Sequence, residues 1–159
     1  MKEIGKKISR HVKEFHYGES LTWSNVAETL EDVTREEAVH KFEGFNTIAM
    51  LSFHIHYYIA GVTEVLEGKP LTIRDKYSFD CPEFKTDSEW NSFKKKMFEV
   101  ADKFTSLISK LEDPIWEEAF TDEKYGNYFR NFMGLLEHSY YHLGQIVMLK
   151  KMIRSGEFI

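Results

Sequence analysis

The chain has little cysteine and no concentration of positive charge. Cys81 is the only cysteine among 159 residues, which excludes a disulfide within the chain. Lys and Arg together number 21 against 26 Asp and Glu, so the net charge is −5. No dense basic run offers a surface that could displace counterions from a phosphate backbone. We therefore expect no nucleic-acid partner.

Long apolar runs are also missing. The longest apolar stretch, residues 47–62, is interrupted by His54 and His56 and is too short and too polar to span a bilayer. Residues 1–10 are basic, but the apolar segment of a secretion signal does not follow them. These features predict a protein without a membrane partner and with a cytoplasmic location.

Alternating strand patterns of useful length do not occur, whereas helical periodicity is widespread. The predicted helices are residues 2–16, one or two short helices within 24–42, then 46–67, 87–111 and 128–154. Ser24, Thr34 and Asn46 are predicted N-caps. The pattern predicts an all-α, up-down-type four-helix bundle, with a long first crossover and short extra helices, as a single domain over residues 1–159.

The connection over residues 69–86 is longer than most loops in compact domains, so we expect it to be packed or functional. Its aromatic residues and proline favour packing. Cys81 lies here beside Pro82 with no activating neighbour in sequence, which predicts a small packed side chain rather than a nucleophile.

Three histidines form a candidate metal site. His138 and His142 are four residues apart in a helical segment, so both side chains leave one face, one turn apart. His54 lies midway along another apolar helix that could face them. Three neutral imidazoles would leave coordination positions free for water or substrate. The alternative is that these histidines are hydrogen-bonded core or surface residues without a metal.

The helical period also assigns roles to neighbours of these histidines. His56 lies about 200° from His54 and is excluded from the site. Gly61 and Gly134 could leave volume beside a metal or let helices approach closely. Gln145 is the nearest polar candidate for orienting a bound water. Packing, rather than catalysis, is predicted for four tyrosines, namely Tyr57, Tyr58, Tyr140 and Tyr141.

Several segments together resemble the DinB-like superfamily of metal-dependent four-helix bundle proteins, in particular its small bacillary-type members. The matching segments are Asn46-Thr47-Ile48, Phe53-His54-Ile55 with Tyr57-Tyr58, Asp75-Lys76-Tyr77-Ser78-Phe79-Asp80, Tyr125-Gly126-Asn127-Tyr128, and His138 with Tyr141-His142-Leu143-Gly144-Gln145-Ile146. They span nearly the whole chain, and the closing segment is the most specific. One histidine on the second long helix followed by HxxxH on the fourth is the order of the family's metal triad.

The resemblance implies that His54, His138 and His142 bind one divalent metal ion. Zinc or nickel is the first expectation, and iron, manganese and copper also suit three imidazoles. Relatives include transferases and isomerases that use a low-molecular-weight thiol. The resemblance thus predicts a metal-dependent thiol S-transferase whose partners are a small thiol and an electrophilic small molecule.

Two alternatives remain at this stage. One is a non-enzymatic metal-binding, structural or stress-related bundle protein. The other is a metal-dependent hydrolase, which would need a general base, and no carboxylate lies in register beside the histidines because Glu137 points about 100° from His138. A homodimer is predicted because bundles of this family type commonly pair helices, and the amphipathic segments carry many large apolar side chains.

Overall fold

The structure, a computed structural model, describes residues 1–156 and is all-helical over that range. Its α-helices are α1 (Glu3–Tyr17), α2 (Val26–Leu30), α3 (Arg35–Val39), α4 (Ile48–Leu66), α5 (Asp87–Ile108) and α6 (Tyr128–Ser155). Short 3-10 helices cover Asp75–Tyr77, Asp113–Glu117 and Glu123–Tyr125. The four long helices and the short helices between the first two confirm the predicted all-α bundle. Only α5 ends clearly earlier than expected.

The helix starts show where sequence patterns identify a cap correctly. The Thr34 side chain accepts a hydrogen bond from the Glu37 amide and forms the predicted capping box at α3. The predictions at Ser24 and Asn46 are wrong by one residue. Asn25 and Thr47 are the caps, because a cap must directly precede the first helical residue for its side chain to reach the amides of the first turn.

Contacts between α1 and α5 show that these helices run in opposite directions. The Ser9 hydroxyl donates to the Thr105 carbonyl at 2.9 Å, and the Tyr17 hydroxyl donates to the Phe98 carbonyl at 3.4 Å. Residue numbers therefore fall along α5 as they rise along α1. Helices α4 and α6 are also antiparallel, because residue 54 contacts residue 142 and residue 58 contacts residue 138.

Helices α4 and α5 run in the same direction. The rings of Phe53 and Phe93 lie 6.5 Å apart, and Glu67 near the far end of α4 forms an ion pair with Lys103. Two parallel neighbours require the chain to return along the length of the bundle, about 28 Å for a helix like α4. This return explains the length of the connection over residues 69–86. The long helices thus run up, down, down, up, so the predicted up-down-type order fails at α5, which runs parallel to α4.

Each long helix packs against two others, and the core lies between them. Both α1 and α4 contact α5 and α6. Large aromatic side chains are fully buried in this core, among them Phe15, Trp90, Phe104, Trp116 and Phe132. Within the described residues, none of the helices combines the length and apolarity needed to cross a membrane.

Candidate metal centre

The antiparallel packing of α4 and α6 brings the three predicted histidines together. The Nε2 atom of His138 lies 3.1 Å from Nε2 of His54 and 2.9 Å from Nε2 of His142. One potential ligand atom from each ring lies within 4.8 Å of the others, so the group could hold a metal ion. The helical spacing accounts for two of these positions, and the seam between α4 and α6 supplies the third.

In two of the rings the Nδ1 atom, which points away from the other histidines, forms a hydrogen bond with an oxygen acceptor. His54 Nδ1 donates to the Ser78 carbonyl at 3.1 Å, and His142 Nδ1 donates to the Gln145 side-chain oxygen at 2.6 Å. Each neutral ring carries one proton, so these contacts place the protons on Nδ1 and leave lone pairs on both Nε2 atoms. Such outer hydrogen bonds fix tautomer and ring orientation at metal sites.

The three Nε2 atoms, which face one another, carry too few protons for each lone pair to accept a hydrogen bond. The Nε2 atoms of His54 and His142 both act as acceptors, and a neutral His138 can offer at most one Nε2 proton between them. At least one inward-facing lone pair therefore has no protein donor within this group of three. A cation with open coordination positions would accept electron density from all three nitrogens, so the donor set fits a divalent metal.

Burial favours the neutral form of His54 and His138. The pKa of His54 is lowered to about 4, mainly by burial and in part by the neighbouring His142 and His138, although the Ser78 carbonyl opposes the shift. The pKa of His138 is also lowered, first by burial and then by His142. Neutral imidazole is the form that binds a metal, so both rings are ready to ligate at neutral pH.

The long connection covers one face of His54. The Phe79 ring stacks on the His54 ring with a centroid separation of 3.9 Å and an interplanar angle of 13°. Ser78 is buried beside it and supplies the carbonyl that accepts from His54. The connection is therefore packed against the histidine cluster. The packing predicted for the aromatic residues of the connection includes Phe79, whereas Ser78 had no predicted role beyond its place in the matching segment.

A carboxylate also approaches from the connection. The Tyr58 hydroxyl donates to Asp75 Oδ1 at 2.9 Å, and the Tyr58 ring contacts His54 and His138 at centroid distances of 5.1 and 5.3 Å. Burial is the main reason that the pKa of Tyr58 is raised, which keeps its hydroxyl protonated. The prediction concerned only carboxylates in helical register with the histidines, and Asp75 lies outside its scope because register along a helix says nothing about residues from a crossing loop.

A groove of about 1010 Å³ opens beside His138 between α4, α6 and the connection. Its lining includes Tyr58, Asp75, Gly134 and Glu137. A Cβ atom at Gly134 would meet no other atom within 4 Å, so this glycine borders open space as predicted. Of the two alternatives for Gly61, free volume or close approach, the structure shows close approach, by the connection rather than by another helix. A Cβ there would collide with Ile73, because Gly61 lets the connection pack closely on α4.

Other candidates fall outside the cluster or serve it differently. His56 faces α5, where its ring meets Phe93 at a centroid distance of 5.6 Å, in agreement with its exclusion. Gln145 holds His142 directly through Nδ1, so its expected role with a bound water is replaced by a role in ring orientation. Burial raises the pKa of the Cys81 thiol to about 11, which disfavours the thiolate that a nucleophile requires.

No protein-family model, curated protein or solved structure matches the chain. The resemblance to DinB-like proteins therefore stays a prediction from the sequence segments quoted above. What the structure contributes independently is the convergence of the three imidazoles, the two held Nδ1 atoms and the adjoining groove.

Proposed function

We propose that the chain is a DinB-like protein that binds one divalent metal ion, zinc or nickel first, through His54, His138 and His142. The observation that carries this proposal is the approach of three Nε2 atoms from two helices, with two Nδ1 protons held by oxygen acceptors. A structural zinc site would need a fourth protein ligand. Among the described residues the cluster contains three, so a coordination position remains for water or substrate.

The proposed activity is transfer of a low-molecular-weight thiol to an electrophilic small molecule. A divalent ion at such a site lowers the pKa of a coordinated thiol and supplies a nucleophile at neutral pH. The thiol sulfur forms a bond to the electrophilic carbon, the leaving group departs with the electron pair of the broken bond, and the thiol proton passes to solvent. The groove beside His138 provides space for both reactants.

The chain's own residues position and shield this chemistry. Ser78 and Gln145 fix the rings of His54 and His142, so the Nε2 lone pairs stay directed inward. Phe79 covers one face of His54 and limits water access from that side. Gly134 keeps the wall of the groove open next to His138.

A metal-dependent hydrolase is the second candidate, and Asp75 is the observation that favours it. This carboxylate lines the same groove as His138 and is anchored by Tyr58. A carboxylate so placed supplies the general base that the helix register alone did not offer. Thiol-independent hydrolysis that is lost in Asp75→Asn would support this candidate over the transferase. A metal-binding protein without turnover is the remaining alternative.

The metal proposal is tested by elemental analysis of protein purified without a polyhistidine tag. We expect about one divalent ion per chain. The alanine variants of His54, His138 and His142 should each lose most of it, whereas His56→Ala, on the same helix as His54, should retain it. Equal metal content in all four variants would overturn the assignment.

We also infer a homodimer located in the cytoplasm, with no nucleic-acid or membrane partner. The homodimer draws support from large apolar side chains that remain exposed on the long helices, among them Tyr141 and Met148 of α6. The negative net charge supports the absence of a nucleic-acid partner. The mass of the protein in solution tests the homodimer independently of its metal content.

A further inference from the structure

One face of α6 points away from the bundle and carries large apolar side chains. Tyr141 is 65% exposed and Met148 is 64% exposed, with the exposed Gly144 between them. Glu137 and Lys151 continue the same face, so these five residues follow one another in alternating steps of four and three. This is the spacing of a seam between two packed helices. We call these five residues the α6 seam.

The two ends of the α6 seam carry opposite charges at equal distances from its centre. Glu137 lies seven residues before Gly144, and Lys151 lies seven residues after it. Both are exposed, and neither side chain forms a hydrogen bond or ion pair within residues 1–156. A second α6 that crosses antiparallel at Gly144 would place Glu137 of each copy opposite Lys151 of the other. The charge pattern is therefore complementary to itself.

The conformation of the single chain does not require glycine at position 144. Gly144 lies inside α6, where glycine is a poor helix former, and its φ is not positive. A Cβ atom built there meets no other atom within 4 Å. No close contact in the described chain therefore excludes a side chain. A neighbouring backbone that approaches closely from outside would do so.

We propose that the α6 seam is the docking surface for a second copy of this chain, related by a twofold axis that passes near Gly144. The arrangement is isologous, so Tyr141 of one copy packs near Met148 of the other, and two Glu137–Lys151 ion pairs form. This inference rests on the proposed homodimer and names its surface. It does not depend on the presence of a metal ion.

Trp23 extends the surface on the side of Lys151. Its side chain is 94% exposed, and it borders a cavity of about 510 Å³ together with Val147 and Lys151. Exposed tryptophan next to an apolar helix face is typical of an interface centre rather than of free surface. Covering Trp23 enlarges the apolar contact beyond what a single pair of helices provides.

The first test is the solution mass of Gly144→Glu, measured by light scattering over a wide concentration range. The wild type should show twice the 18.8 kDa chain mass. The variant should remain folded by circular dichroism, because the position is open in the single chain, and should shift to the monomer mass. Ser106→Glu is the matched control, since Ser106 is exposed inside α5 and lies outside the α6 seam. It should stay dimeric.

The second test reverses the charges at the ends of the seam. Glu137→Lys and Lys151→Glu should each raise the dimer dissociation constant about tenfold at low salt, because two attractive pairs become repulsive. The double variant should return close to the wild-type value, an outcome that a merely local loss of stability would not produce.

The two proposals fail in distinguishable ways. A wild type that is monomeric at all concentrations would overturn both the homodimer and the seam. A dimer that survives Gly144→Glu, or that shows no recovery in the charge-reversed double variant, would overturn the seam and leave the homodimer standing. Metal content measured on the same samples reports separately on the histidine cluster.

Discussion

Two histidines of α4, His54 and His56, differ by two positions and lie in opposite seams of the bundle. Burial lowers the pKa of each to about 4. His54 faces α6, donates from Nδ1 to Ser78 and directs Nε2 toward His138. His56 faces Phe93 of α5, and its buried Nδ1 has no hydrogen-bond partner in the described chain. Residue type, burial and pKa are therefore alike, and only the partners differ.

The comparison teaches that a functional histidine is identified by what its two nitrogens contact. Between α4 and α6, His54 and His142 each donate a hydrogen bond from Nδ1 and direct Nε2 toward His138. A metal site requires this arrangement of the two ring nitrogens. Between α4 and α5 the His56 ring packs against Phe93, and no group of three potential ligands among the described residues includes it. There the neutral imidazole acts as a buried side chain with an unsatisfied polar atom, which costs stability.

The largest expected difference between His54 and His56 is in how their substitution changes the stabilisation of the protein by a metal ion. Adding zinc at about one hundred times its dissociation constant should stabilise the wild type by about 3 kcal/mol, which corresponds to a rise in Tm of about 5–10 °C. His56→Ala should show the same rise from a lower starting Tm, because it creates a cavity but removes no ligand. His138→Ala should show none, as measured by differential scanning calorimetry.

An equal rise in Tm for His138→Ala would contradict the assignment of the metal site, since zinc would then bind elsewhere. Addition of a chelator provides the reverse control. It should lower the Tm of metal-loaded wild type and leave His138→Ala unchanged.

The next effect is a loss of stability in acid that His56 causes. The folded-state pKa of His56, about 4, lies below the unfolded value of 6.5, so the unfolded chain binds more protons between these values. Stability therefore falls as the pH is lowered through this window and is fully present above it. His56→Leu should reduce the loss between pH 7 and 4.5 by about 2–3 kcal/mol. Urea unfolding at both pH values measures the difference.

His16 provides an internal reference for that measurement. It is buried in α1, its Nδ1 donates to the Val12 carbonyl at 2.8 Å, and burial lowers its pKa to about 4. Its contribution to acid sensitivity should remain in the His56→Leu variant. Identical pH dependence in the wild type and in His56→Leu would show that His56 is not buried in the neutral form.

A smaller effect on metal affinity is expected from Gln145, which orients the His142 ring. Gln145→Ala should weaken metal binding about tenfold, because the His142 ring loses the acceptor that fixes its tautomer. Gln145→Glu keeps an acceptor at that position and should bind at least as tightly as the wild type. Competition with a chromophoric chelator measures both affinities. Equal affinity in Gln145→Ala would show that the contact with His142 does not tune the site.

The sequence predicts the helices well, and it predicts that two of the site's histidines share a helix face, because both features depend on local periodicity. His138 and His142 share a face by spacing alone, and His54 and His56 are separated by the same 3.6-residue period. The contacts made by the connection could not be predicted in this way. Ser78, Phe79 and Asp75 belong to a path without a regular repeat, and that path is set by the need to return between two parallel helices.

The same limit explains why free volume and close approach both stayed open at Gly61. Helical register correctly predicts that Gly61 lies on the face of α4 that includes His54, but it does not show what packs there. Ile73 of the connection occupies the space that the first alternative left free beside a metal. Gln145 was correctly placed near His142, and only its hydrogen-bond partner was misjudged, because a side chain three residues away can reach the ring directly.

The smallest signal expected is slow thiol transfer. It should depend on the histidines between α4 and α6 and not on His56 between α4 and α5. The cluster contains three histidines that could hold a metal ion, and the groove beside His138 leaves room for a small thiol. Cobalt-substituted protein titrated with several cellular thiols should show a sulfur-to-cobalt charge-transfer band. Wild type and His56→Leu should then consume thiol against a panel of electrophiles, whereas His142→Ala should not. If no thiol produces the band and no thiol-dependent turnover appears, the transferase proposal should be abandoned for a metal-binding protein without this chemistry.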